Sequence, residues 1–196
     1  MTDIDDVLEE MPTLAAVPAF VQILQNTPWF RSLGDPASDK LRAEAEDYTS
    51  ALGFPDAYPI FLTDWEDAAS AAETQDFNSA SWEAEEQARA VLTEALVNTM
   101  GEDTFELVMS HIQEKVSEVI GYGAEEAAEN LHIEDEQFIA AAIGAGAQAA
   151  HQAALVMLTG VDSGEVDEEH PFTARFKMFE AGRWPIGILG SSFSVF

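Results

Sequence analysis

The chain has 196 residues, of which 37 are acidic and 8 basic, giving a formal charge of −29 and a sequence pI near 4.1. It contains no cysteine, which excludes disulfides, thiolate metal sites and cysteine nucleophiles. With 47% hydrophobic residues and this length it can bury one real core, and we read residues 1–196 as a single domain.

Residues 1–11 are acidic and lack a basic start and an apolar stretch, so no secretory signal is expected there. Pro12, Pro18 and Pro28 then segment an apolar opening in which Val17, Phe20, Val21 and Leu24 recur at helical spacing, followed by Trp29 and Phe30. Asp35 and Pro36 read as an N-cap and first helical residue, ahead of a stripe of Leu41, Ala45, Tyr48 and Leu52 that ends at Gly53. A turn-rich stretch over residues 54–59 follows. Thr63 and Glu66 have the spacing of a capping box for a helix reaching about Thr74.

Ser81 is the expected start of the next helix, with Glu83, Glu85 and Glu86 in its first turn, where the helix dipole favours anions. Its inward face reads as Ala88, Val91, Leu92, Ala95 and Leu96, and Gly101 closes it. Phe105, Val108, Met109, Ile112, Val116 and Val119 give the strongest amphipathic pattern in the chain. Gly121, Tyr122 and Gly123 should end that helix, leaving a short one over residues 124–131.

No charged residue occurs from Gln137 through Val161. The segment holds Gln137, Gln148, His151, Gln152 and many Ala and Gly, which suits a buried central helix at about 135–158 better than a bilayer span. After an acidic loop at 161–170, Pro171 opens a helix bearing Phe172, Phe176 and Phe179 that stops at Gly182. Residues 185–196 read as a β-hairpin turning at Gly190-Ser191. That register pairs Ile188 with Phe193 and Ile186 with Val195, all four on one face, and such a hairpin must dock on the helices to be stable. The expected fold is therefore mainly α, a compact multi-helix bundle around one buried helix with a small C-terminal hairpin.

Candidate chemistry is sparse. Glu129 and His132 have the i, i+3 spacing of a ligand pair in a di-metal bundle, but no second such pair lies on an expected helix; the competing reading is a helix-end histidine. Gln148, His151 and Gln152 form an uncharged polar stripe that would wall a small-molecule pocket or simply bond within the core. His111 reads as a solvated boundary residue and His170 as a cap for the helix at Pro171. No nucleophile elbow, zinc helix, EF-hand loop or dinucleotide fingerprint is present, and no cofactor is expected.

The tail from Pro171 carries a net charge of +2 against −31 for residues 1–170. Its Arg175, Lys177, Arg183, Trp184, Phe193 and Phe196 are the candidate interface residues. They either serve a protein partner or self-association, or dock on the acidic body, since a hairpin edge has to be covered. The acids themselves are spread along the whole chain, with 10, 10 and 11 in its first three stretches of fifty residues, and lysine occurs only at Lys40, Lys115 and Lys177. This composition resembles that of haloarchaeal cytosolic proteins, in which salt screens self-repulsion; an acidic nucleic-acid mimic is the alternative. The expectation is a soluble, cytoplasmic, halophile-adapted protein with no membrane role and no nucleic-acid partner. It would act as an interaction or accessory domain, with a helical-bundle enzyme or a metal- or small-molecule-binding protein using His132 or His151 as the other reading.

Overall fold

In the computed structural model, the described residues are Ile4, Met11, 14–160 and 166–196. Most of residues 1–13, and the first half of the expected acidic loop, lie outside them. Among the described residues seven helices and three strands follow in order: α1 (Val17–Asn26), α2 (Asp39–Ala51), β1 (Tyr58–Phe61), α3 (Trp65–Glu73), α4 (Ala80–Met100), α5 (Glu102–Leu131), α6 (Glu136–Gly160), α7 (Pro171–Glu180), β2 (Pro185–Leu189) and β3 (Ser192–Val195). The architecture is mainly α.

The helix α6 is the centre of the molecule. Asp135 caps it by accepting from the amides of Gln137 and Phe138, and it packs against α1, α3, α4, α5 and α7. It is long and apolar enough to cross a bilayer, yet half of its most apolar stretch is buried inside the chain, as befits a core helix. The first two stripes are inward as expected: Val17, Phe20, Val21 and Leu24 on α1, and Leu41, Ala45 and Tyr48 on α2, are all buried. His170 caps α7 through Nδ1, which accepts from the Phe172 amide at 3.1 Å.

Several starts differ from the sequence reading. The cap of α2 is Ser38, not Asp35; that of α3 is Asp64, not Thr63; and that of α4 is Ser79, not Ser81. In each case a side-chain oxygen one to three residues away takes the free amide of the first turn. The face of α4 is also rotated. Val91 and Ala95 are exposed, and the buried positions are Ser81, Glu85 and Leu96.

The largest difference is α5, which runs unbroken through Gly121 and Gly123 for 30 residues. The glycines there are contact points. A Cβ on Gly123 would stand 2.8 Å from the Trp29 carbonyl oxygen, and one on Gly146 of α6 would stand 2.8 Å from Ile120 and 3.2 Å from Phe30. The loop after α1 thus inserts Trp29 and Phe30 between α5, α6 and α7, where Trp29 meets Phe176 and Phe179 with ring centroids 6.0 and 5.4 Å apart. Gly123→Ala should destabilise the protein by about 1–3 kcal/mol, because backbone must move to admit the methyl group. Gly121→Ala, with open space around it, should instead gain up to about 1 kcal/mol of helix propensity. Thermal melts of the two variants side by side in high salt check this pair; equal effects would contradict the close-approach role of Gly123.

The hairpin forms around Gly190, whose φ is +61°. Ile188 faces Phe193 as expected, but a bulge after Pro185 shifts the rest, so that Pro185 rather than Ile186 pairs with Val195. The bulge separates the side chains. Ile186 enters the main core, while Ile188 packs with Phe193 and Val195 in a smaller core shared by α2 and α7. The stretch read as turn-rich supplies β1, which pairs in parallel with β3 and covers its open edge, making a three-stranded sheet in the order β1-β3-β2. Gln75, just beyond α3, donates from Nε2 to the Ile186 carbonyl and secures the other side of the sheet.

Candidate functional site

The most concentrated polar chemistry in the described residues lies where the two cores meet. The carboxylate of Glu85, on α4, is 7% exposed and takes three donors. Tyr48 of α2 donates its hydroxyl to Oε1 at 2.5 Å. Arg175 of α7 donates from Nη1 to Oε2 at 2.5 Å, and Gln152 of α6 donates from Nε2 to the same oxygen at 3.3 Å. Gln152 in turn accepts from Arg175 Nη1 at 3.4 Å. Four helices are therefore joined through one carboxylate.

Burial and the Glu85 charge beside it raise the Tyr48 phenol well above its ordinary value, so it stays protonated and donates. Burial acts to lower Arg175, but Glu85, together with Tyr48, outweighs it and the guanidinium is held charged. A carboxylate that accepts from a cation, a phenol and an amide is stabilised in its charged form and is a weak base.

The network also opens outward. Glu85 and Arg175 form part of the lining of a cleft of about 280 Å³ bounded by α3, α4, α6 and β2. Trp82, Trp184, Phe77 and Ile186 give it apolar walls, with Phe77 and Trp82 packed edge to face at 4.9 Å. Gln75, Asp76, Ser79, Ser81 and Gln148 supply polar groups. Of the Arg175 nitrogens only Nη1 is hydrogen-bonded among the described residues. Nε is enclosed without a partner, and the residue forms part of the cleft lining.

The polar stripe on α6 is divided by this arrangement. Gln148 lines the cleft and Gln152 joins the network behind it. His151 lines a separate void of about 50 Å³ between α5 and α6, with Ile112, Val116 and Ile143. Burial, and secondarily Arg89, lowers the His151 imidazole below its ordinary value, so it is neutral at pH 7.

Glu129 is exposed, and His132 is the exposed left-handed residue at the end of α5, with φ +57°. Among the described residues no group of three or more His, Asp or Glu side chains is placed to hold a metal ion.

Of the six candidate interface residues, Arg175, Arg183, Trp184, Phe193 and Phe196 are no more than 5% exposed in the single chain. Arg183 donates from Nη1 to the Asp35 carbonyl at 2.5 Å, and Trp184 and Phe196 exchange backbone hydrogen bonds. Lys177 reaches solvent and pairs with Glu168 at 2.6 Å.

By sequence alone Glu85 reads as an anion serving the helix dipole. The signal for its true place lies in the alternative stripe Ser81, Glu85, Ala88, Leu92 and Leu96, which keeps helical spacing with an acid in phase. No protein-family model, no curated protein and no solved structure matches this chain.

Proposed function

We propose that the protein is a non-catalytic helical binding protein of a high-salt cytoplasm, and that the cleft between α3, α4, α6 and β2 receives a small organic molecule. The observation that carries this reading is the combination of apolar aromatic walls with an anchored, incompletely bonded guanidinium in one concave site. A Glu85 whose two oxygens both accept from protein donors argues for recognition rather than proton transfer.

Trp82 and Trp184 line the cleft, so their fluorescence reports an occupant. A panel of small aromatic compounds, in anionic, neutral and cationic forms, should produce saturable changes in high salt. Gly144 lines the cleft, and a Cβ there meets nothing within 4 Å. Gly144→Leu should therefore fill the site and abolish those changes while leaving the melting temperature equal or higher. A panel without saturable change, or binding untouched by Gly144→Leu, would reject the cleft as the binding site.

A second reading, self-association, is supported by an open apolar groove of about 330 Å³ lined by Phe20, Ile23, Met157, Val166 and Phe176. Ile23 is 49% exposed there. In this reading a second copy of the chain covers the groove, and sedimentation of the same samples would give a dimer mass.

A further inference from the structure

Resting on the cleft reading above, we propose that the occupant is a monoanion, a small carboxylate with an apolar body, seated between the Arg175 guanidinium and the first turn of α4.

Two independent features line the cleft. The first is Arg175, 5% exposed, with Nε unpartnered and only Nη1 bonded. The second is the start of the 21-residue helix α4, from which Ser79, Ser81 and Trp82 line the same cleft. There the Ser79 hydroxyl already takes the Trp82 amide at 3.2 Å, whereas the amides of Ala80 and Ser81 have no acceptor within the helix. A carboxylate placed in this cleft meets the N–H edge of a guanidinium and a helix N-terminus, both donors that suit it.

Glu85 and Asp76 also line the cleft, and their charges oppose an anion. Directional bonding decides against them. Both Glu85 oxygens accept from donors, and Asp76 Oδ1 accepts from the Asn78 amide at 2.9 Å, whereas among the described residues Arg175 Nε and the amides of Ala80 and Ser81 have no protein acceptor. In molar salt, where the Debye length is about 3 Å, the net negative field of the distant surface is screened, and the charges that line the cleft itself, Asp76 among them, are the ones an occupant meets. With one cation already shared with Glu85, a second negative charge on the ligand would find no partner, which favours a carboxylate over a dianionic phosphate.

The test compares indole-3-acetate, indole-3-acetamide and tryptamine by titration calorimetry in multimolar KCl, since the ligands' own indole fluorescence overlaps that of Trp82 and Trp184. The acetate should bind about tenfold or more tighter than the acetamide, and tryptamine weakest. The double variant Glu85→Gln/Arg175→Gln keeps amides in place of the charges. It should erase the acetate preference while retaining acetamide binding.

Should that variant not fold, Asp76→Asn on the exposed lip keeps the question open. It should strengthen the acetate and leave the acetamide unchanged. Acetamide or tryptamine binding as tightly as the acetate, or Asp76→Asn shifting acetate and acetamide alike, overturns the carboxylate assignment and leaves the cleft reading standing. Failure of all three compounds overturns both.

Discussion

Replacing Arg175 with Met should destabilise the protein by about 3–5 kcal/mol, because it leaves the Glu85 carboxylate buried without its cation. Against the roughly 5–15 kcal/mol typical of a domain, such a loss is a large share of the total. The expected result has a second half. Glu85→Gln/Arg175→Met should recover most of the loss, since the introduced glutamine amide can still accept from Tyr48 while no uncompensated charge remains.

The double-mutant cycle therefore predicts a coupling energy well above the about 0.5 kcal/mol found between independent sites. Denaturant unfolding of the four proteins in high salt measures it. If Arg175→Met costs under about 1 kcal/mol, or the two substitutions simply add, the network does not hold the four helices together and the contact is incidental.

The same network shows why the sequence revealed the fold more readily than the site. Burial imposes helical spacing on apolar residues, so Leu41, Ala45 and Tyr48, or Val108, Met109, Ile112 and Val116, announce their faces without tertiary information. A carboxylate at an inward position gives no such contrast in a chain with 37 acids. Glu85 has the sequence surroundings of a surface residue, and only Tyr48, Gln152 and Arg175, each distant in the chain, mark it as interior. Arg175 misleads in the opposite sense. Its place in a tail richer in bases points outward to a partner, whereas its partner is an acid 90 residues earlier in the same chain.

Local signals also lost to packing elsewhere. Gly121 and Gly123 read as a helix stop because glycine costs helix stability, about 1 kcal/mol each; the close approach of Trp29 to Gly123 makes the second one necessary instead. The strand β1 contains Pro59 and follows a turn, which argues against a strand in a sheet interior. It is an edge strand, where a missing amide is tolerated, and its partner β3 lies at the other end of the chain. No pattern within residues 54–61 could have supplied that pairing.

Withdrawal of KCl should unfold the protein at pH 7. Among the described residues four ion pairs are present, and the bridge between Arg175 and Glu85 is the one in which both side chains are buried; most of the acids have no such partner. As salt is diluted from molar to about 0.1 M the Debye length grows from about 3 to about 10 Å, and neighbouring carboxylates across the surface begin to repel one another. Circular dichroism should show a cooperative loss of helix on dilution and its return with KCl.

The pH response at low salt then has a defined shape. Burial lowers His151 and His170, so their contribution is complete above the ordinary 6.5 and drains away as pH falls below it. Burial raises Glu44, and burial with the neighbouring Glu44 charge raises Glu180; both bind protons more tightly when folded, so stability is gained as pH falls through their raised values toward 4.5. The histidines therefore oppose any rescue just below 6.5, and Glu44 and Glu180 produce it as pH falls on toward 4.5. A chain that remains fully helical in dilute buffer at pH 7 would overturn the high-salt reading. The acidity would then have to serve recognition of a basic partner, and tight low-salt binding to a basic protein would be the result to look for.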